Sequence, residues 1–128
     1  MHIQGFHHLA IQVRDLEASA RFYSGVLGLA ELARHRRADG SLRAIWVGVP
    51  GGGFLALEQV SGDLAPSPFR DERPGLFLVA LRIARKDRDE VASRLKAQGL
   101  PIEHETGWTL YVRDPEGNRV GLSHHPED

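Results

Sequence analysis

The residues of this sequence best able to do chemistry are its histidines. There are seven of them and no cysteine among 128 residues. Imidazole is the one side chain here that titrates near neutral pH or offers a transition metal a nitrogen ligand. The absence of cysteine excludes disulfides, thiolate zinc sites, iron–sulfur clusters and cysteine nucleophiles. The histidines are therefore the first candidates for proton transfer near neutral pH or for a transition-metal site.

Most of these histidines have ordinary structural interpretations. His7 belongs to the helix-facing row, which favours a core or edge position, and His35 lies in a charged run typical of a solvated strand face. We expect His124 and His125 to fray with the C-terminus. His8 and His104 remain as the candidates for chemistry.

The first half of the chain must position His8. Residues 6–13 alternate, with Leu9, Ile11 and Val13 on one face and His8 and Gln12 on the other, which predicts a strand. Asp15 as N-cap, a stripe of apolar residues and Gly28 as C-cap predict a helix over 15–27. Three further strands follow, over about 29–37, 42–49 and 54–60.

The second half repeats this order of elements. Residues 76–83 predict a strand and residues from about 87 to 98 a helix that ends at Gly99, before strands over 101–105, 108–113 and 118–124. Such an internal repeat indicates two similar modules. We expect one domain, 1–128, made of halves at about 4–60 and 75–125 that a proline-rich connection over 61–74 joins.

The predicted fold is α+β, with two βαβββ modules forming a half-open barrel around an internal cleft. A four-stranded sheet with one helix has only one covered face, so the other faces would line the cleft. Trp46, Trp108 and Tyr111 could form its apolar floor. Arg82 would suit a carboxylate or phosphate of a ligand.

Charge and hydropathy exclude several classes of protein. Sixteen Lys and Arg against seventeen Asp and Glu give a net charge of −1, unlike the basic excess of nucleic-acid binders. No apolar run approaches the ~18 residues of a membrane span. The N-terminus lacks the features of a signal peptide, so we expect a cytoplasmic protein with neither nucleic acid nor membrane as partner.

Two motifs and the repeated modules resemble a known group of proteins. The motifs are His-Leu-Ala-Ile-x-Val-x-Asp-Leu-x-x-Ser-x-x-Phe-Tyr over 8–23 and Asp-Pro-x-Gly-Asn over 114–118. They resemble the vicinal oxygen chelate superfamily over nearly the whole chain. That group includes glyoxalase I, bleomycin-resistance proteins, fosfomycin-resistance enzymes and extradiol dioxygenases.

The resemblance assigns four metal-ligand positions, on the first and fourth strands of each half. Two of these positions, His8 and Glu58, hold residues that can bind a metal. The other two are Leu78, which cannot coordinate, and Gly121, which has no side chain. The resemblance therefore implies an incomplete ligand set, and Gln12, Leu78 and Gly121 would line a ligand-binding cleft instead.

The second half is also similar to the extradiol dioxygenase signature. It reads Ile102-x-His104, five residues, Leu110-Tyr111, two residues and Asp114-Pro115-x-Gly117. In that family the matching histidine and tyrosine act on the substrate beside an iron. The resemblance thus implies that His104 and Tyr111 face the cleft.

Three hypotheses follow. The first, and the favoured one, is a small-molecule-binding protein without the usual metal site. The second is a metal-dependent lyase, isomerase or dioxygenase with a rearranged ligand set and a divalent metal as cofactor. The third is a metal-free enzyme with His8 and Glu58 as an acid–base pair. The resemblance also implies a homodimer, either side by side or swapped.

Overall fold

A computed structural model describes residues 1–128, which form two compact units, Met1–Ala65 and Pro66–Asp128. The first unit contains β1 (His8–Val13), α1 (Leu16–Ala20) with a π-helical continuation (Arg21–Val26), β2 (Glu31–Arg36), β3 (Leu42–Gly48) and β4 (Phe54–Gln59). The second contains β5 (Val79–Arg82), a 3₁₀ turn (Arg85–Asp87), α2 (Arg88–Ala97), β6 (His104–Glu105), β7 (Thr109–Arg113) and β8 (Arg119–Ser123). The α+β class and the repeated βαβββ order are confirmed.

The two sheets have the same topology. The strand orders are β1-β4-β3-β2 and β5-β8-β7-β6, and in each sheet only the first pair is parallel. Each helix connects the first strand to the far edge of its sheet. The helix covers one face and leaves a second face, which we call the open face of that module.

Burial follows the predicted alternation. Along β1 the row that faces the helix ends in the fully buried Val13, whereas the alternate residues His8, Ala10 and Gln12 are exposed. The core of the first module lies between its sheet and α1 and includes Leu16, Phe22, Tyr23, Ile45, Val47, Leu55 and Leu57. In the second module Leu95 of α2 is buried together with Leu110, Val112, Val120 and Leu122.

The first helix begins as predicted but changes its winding. The Asp15 carboxylate accepts a hydrogen bond from Ala18 N at 3.1 Å, which caps the helix. From Arg21 onwards the backbone is π-helical, and Leu27 N donates to Phe22 O, five residues earlier. Gly28 then takes a positive φ of 81° and ends the element, as the sequence predicts.

The strand expected over 76–83 is shorter than predicted. It starts at Val79, which lies opposite Val120, near the beginning of β8. Because β8 starts at Arg119, residues 76 and 77 have no strand to pair with, and Leu76 and Phe77 are 81% and 52% exposed. Neither helix has the length and apolar character that a membrane span needs.

Candidate functional site

Four rings cross the open face of the first module, one from each strand. His8 on β1 stacks on Phe54 of β4 at 4.8 Å between centroids, and Phe54 stacks on Trp46 of β3 at 4.6 Å. His35 of β2 contacts Trp46 at 4.4 Å. We call these four residues the ring band. It places Trp46 on the open face, the face on which the sequence predicted a ligand.

His8 is exposed, and its ring is engaged on two sides. It stacks almost parallel to Phe54, with 10° between the ring planes. Its Nδ1 lies 2.8 Å from Nδ1 of His7, so one of the two nitrogens donates a hydrogen bond to the other. The Nε2 atom of His8 is its remaining donor or acceptor.

Glu58 lies on the same face as His8 but not beside it. In the register of β1 and β4 it is opposite Gln12, four residues along the strand from His8, which is opposite Phe54. Its carboxylate pairs instead with Arg43, at 3.3 Å from Nη1. No contact joins His8 to Glu58, because the register places them four residues apart and each side chain has another partner.

His35 differs from its expected position. It is half-buried against Trp46 rather than part of a solvated face, because it alternates with the arginines around it and so points to the open face. The buried Nε2 of His35 and the buried Nε1 of Trp46 have no hydrogen-bond partner. The period-two pattern of residues 33–36 could have revealed this, since His35 shares its parity with Ala33 and not with Arg34 or Arg36.

The open face of the second module has carbon atoms where the resemblance places two ligands. A Cβ at Gly121 would lie 3.2 Å from Cγ2 of Thr109, 3.6 Å from Cδ1 of Leu78 and 3.7 Å from Cε1 of Tyr111. Leu78 lies one residue before β5. None of these atoms is a metal donor, so this module does not fit its half of the four-ligand set.

His104 and Tyr111 are neighbours, as the dioxygenase-like signature suggests. They lie opposite each other on β6 and β7, with ring centroids 5.5 Å apart. Tyr111 is half-buried and His104 is exposed. The pair is a ring contact on the open face, and its role toward a ligand stays a prediction.

Arg82 and Trp108 lie against the C-terminal tail. Arg82 is exposed at the end of β5 and lines a cavity of about 540 Å³ together with His124 and Glu127. Trp108 is 42% exposed, its Nε1 donates to Asp128 and its ring meets the edge of His125. Trp108 comes just before β7 and three residues before Tyr111. Because successive side chains along a strand point to opposite faces, it does not share the open face with Tyr111.

The tail itself is ordered by His124. This residue is 1% exposed, which corrects the expectation that it frays. Its two ring nitrogens contact Arg88 and the carbonyl of Glu127, and the Glu127 carboxylate accepts from the backbone N of Arg85 at 3.3 Å. These partners are 36 residues away or in the tail itself, so no pattern in the sequence around His124 predicts these contacts.

One residue on the open face of the second module was missed by the sequence reasoning. Arg119 precedes Gly121 by two positions on β8 and therefore points to the same side of the sheet. Its guanidinium lies 4.2 Å from the centroid of the Tyr111 ring. Its two-residue spacing from Gly121, a residue predicted to line the cleft, could have identified it.

Comparisons with known proteins agree with this architecture. Residues 5–122 match the Glyoxalase/Bleomycin resistance protein/Dioxygenase superfamily. The chain is 28% identical over 123 residues to the uncharacterized protein PA2024 of Pseudomonas aeruginosa, covering 91% of this chain and 86% of that protein.

Two solved structures have similar folds. A glyoxalase/dioxygenase from Nostoc punctiforme has a TM-score of 0.80 and 24% identity, covering 97% of this chain and 92% of that one. The fosfomycin resistance protein FosX from Listeria monocytogenes, complexed with Mn(II) and sulfate ion, has a TM-score of 0.75 and 22% identity, covering 96% and 93%. At these identities the likeness concerns the fold.

Proposed function

Because the chain belongs to the glyoxalase/bleomycin resistance protein/dioxygenase superfamily, we propose that it binds a small organic molecule without the usual four-ligand metal site. The observation that carries the proposal is the pair Leu78 and Gly121. Both stand at ligand positions by resemblance, and carbon atoms of Leu78, Thr109 and Tyr111 surround the place of a Gly121 side chain. A catalytic metal generally needs about three protein ligands, and two positions cannot supply them.

The first module supports the same proposal. His8 and Glu58 keep residue types that bind metals, but each is engaged by a neighbour, His8 by His7 and Phe54 and Glu58 by Arg43. The ring band offers a half-buried aromatic surface on which an apolar ligand can pack. The metal-free enzyme with His8 and Glu58 as a coupled pair has less support, because no contact joins the two residues.

The metal-dependent alternative requires further ligands. FosX of Listeria monocytogenes has been solved with Mn(II), so a metal is the natural comparison for this chain. His124 is an unsuitable substitute, because both of its ring nitrogens already have partners. Besides His8, the histidines on the open faces are His104, which is exposed, and His35, whose Nε2 is buried.

Metal analysis of the purified, untagged protein tests the proposal. We expect no Fe, Mn, Zn or Ni above the buffer blank, in the wild type and in His8→Ala alike. About one ion per chain in the wild type, lost in His8→Ala, would overturn the proposal in favour of a rearranged site. Reloading with each metal before dialysis excludes loss during purification.

The nearly balanced charge of −1 makes a strongly cationic ligand of the bleomycin type a poor match.

We also propose that the chain forms a homodimer in the cytoplasm. Light scattering over a range of concentrations measures the oligomeric state. A monomeric mass throughout that range would contradict the dimer.

A further inference from the structure

Arg119 occupies an aromatic cage on the open face of the second module. Its guanidinium carbon lies 4.2 Å from the centroid of Tyr111, 5.0 Å from that of Phe77 and 5.5 Å from that of Phe69. The side chain is only 13% exposed. A guanidinium held between rings keeps its position through cation–π attraction and loses little entropy when it binds a further group.

The hydrogen-bonding capacity of this guanidinium is unused. Its Nε is buried without a partner, and the nearest carboxylate oxygen, Oε1 of Glu103, is 3.5 Å away. A buried N–H that donates to no acceptor costs about 1–3 kcal/mol. A ligand would have to bind the terminal nitrogens instead, because the buried Nε is closed to it.

Glu103 forms hydrogen bonds with Arg113 and only a longer ion pair, at 3.5 Å, with Arg119. The Nε of Arg113 lies 3.0 and 2.9 Å from the two Glu103 oxygens, and its Nη1 donates to the carbonyls of Phe69 and Gly117. Two guanidiniums thus share one carboxylate. The cluster carries an excess of one positive charge, and Arg119 is the member with donors to spare.

The neighbourhood of Arg119 is apolar as well as cationic. Phe77, which borders the guanidinium, is 52% exposed, and Leu76 beside it is 81% exposed. Arg82, the cation that the sequence suggested for this role, is exposed and shares its cavity with the Glu127 carboxylate. Arg119 is therefore better placed to bind an anion that is attached to an apolar body.

We propose that Arg119 binds the carboxylate of a small organic acid whose apolar body packs on Phe77 and Leu76. The inference rests on the proposed function, because it names the class of ligand for that protein. The carboxylate would accept hydrogen bonds from the terminal nitrogens of Arg119. An uncharged ligand of the same shape would lose that interaction and keep only the apolar contact.

Benzoate, benzamide and inorganic phosphate are suitable probes for calorimetric titration. We expect the wild type to bind benzoate with a dissociation constant on the order of 1 mM, and benzamide at least about tenfold more weakly. Arg119→Gln should lose the preference for benzoate. Arg70→Gln, the same change at an exposed arginine of the preceding segment, should keep it.

The results separate the sources of binding. Equal affinity for benzoate and benzamide, or unchanged benzoate binding in Arg119→Gln, would overturn the inference. Phosphate binding as tight as benzoate binding would overturn the proposed apolar contact. Phe77→Ala should weaken the binding of benzoate and leave the binding of phosphate unchanged. Circular dichroism of every variant verifies folding.

A second variant distinguishes a ligand-binding role from a purely structural one. Glu103→Gln removes the carboxylate nearest to Arg119, so benzoate should bind several-fold more tightly. Unchanged or weaker binding in this folded variant would count against the inference. Metal content is measured independently, so a metal-loaded protein that still prefers benzoate through Arg119 would refute the proposed function and leave this inference standing.

Discussion

The guanidinium of Arg88 fixes the tautomer of the buried His124. Arg88 Nη1 lies 3.0 Å from Nε2 of His124, and a guanidinium can only donate, so Nε2 is the acceptor. The ring proton is then on Nδ1, which donates to the carbonyl of Glu127. One arginine on α2 thereby holds a neutral imidazole and, through it, the C-terminal tail.

Replacing Arg88 should release this tail. In Arg88→Ala the buried Nε2 of His124 and the carbonyl of Thr106, which accepts from Arg88 at 2.8 Å, both lose their donor. We expect a loss of about 2 kcal/mol in the free energy of unfolding, measured with urea. Lys86→Ala, at an exposed position just before α2, should change it little, and equal losses in both variants would contradict this interpretation.

Restoring donors at the two missing ligand positions should increase metal uptake. The double variant Leu78→His with Gly121→Glu supplies an imidazole and a carboxylate on the open face of the second module, so we expect it to take up more divalent metal after loading than the wild type does. The glutamate requires Thr109 to move by a few tenths of an ångström, because its Cγ2 is 3.2 Å from the new Cβ.

The matched control is Leu78→His with Gly121→Gln, which has the same size but a neutral amide in place of the carboxylate. It should bind metal much more weakly. If the glutamate variant folds and takes up no more metal than the wild type, residues 78 and 121 are not the positions that exclude the ion.

Removing the central ring of the band should weaken the first module. Trp46 stacks on Phe54 and contacts His35, so Trp46→Ala removes one ring contact from each of them. We expect a loss of about 2 kcal/mol, below the about 3–5 kcal/mol of a fully buried tryptophan, because Trp46 is half-buried. Trp108→Ala is the control, since 42% of that residue is exposed and its loss should be smaller.

The turn between β2 and β3 should lose stability in acid. The hydroxyl of Ser41 donates to Asp39 and, with help from the Ser41 backbone N–H, holds the pKa of that carboxyl below its usual range. A carboxyl with a depressed pKa stabilises the fold above its unfolded pKa, near 3.9, and the contribution disappears as the pH falls through the folded value.

Unfolding of the wild type and Asp39→Asn between pH 7 and pH 2 measures this contribution. The wild type should be the more stable at neutral pH, and the two should converge in acid. A difference that stays constant with pH would show that the charge of Asp39 is not involved.

Local patterns were sufficient for most of the secondary structure. Alternation predicted β1 and its two faces, and Gly28 and Gly99, with φ of 81° and 72°, end their helices where expected. The π-helical turn after Ala20 was not predictable in this way, because the periodicities of the two windings differ little over six residues. The late start of β5 is set by where its partner β8 begins. The alternation of residues within β5 carries no information about the length of that partner.

For the candidate site, too, one part could be predicted from local patterns and another could not. The side of the sheet on which His8, Gln12, Trp46 and Tyr111 lie follows from parity within a strand and was predicted correctly. The partners of those residues depend on register between strands, which single-strand patterns leave open. The sequence therefore paired Glu58 with His8, whereas the structure pairs it with Arg43. The sequence placed His124 in a frayed end, whereas Arg88 holds it in place.

The attachment of Phe69 to the β7–β8 turn shortens the free connection between the two modules. Phe69 N donates to Gly117 O at 3.0 Å, and a Cβ on Gly117 would lie only 2.5 Å from that of Pro68, so the segment is seated tightly. At the other end Val60 N donates to Val13 O at 2.9 Å. The free stretch between the two anchored points therefore runs only from Val60 to Pro68, with a fully extended length of about 28 Å. Gly-Ser insertions after Gly62 would lengthen this stretch without touching either anchor.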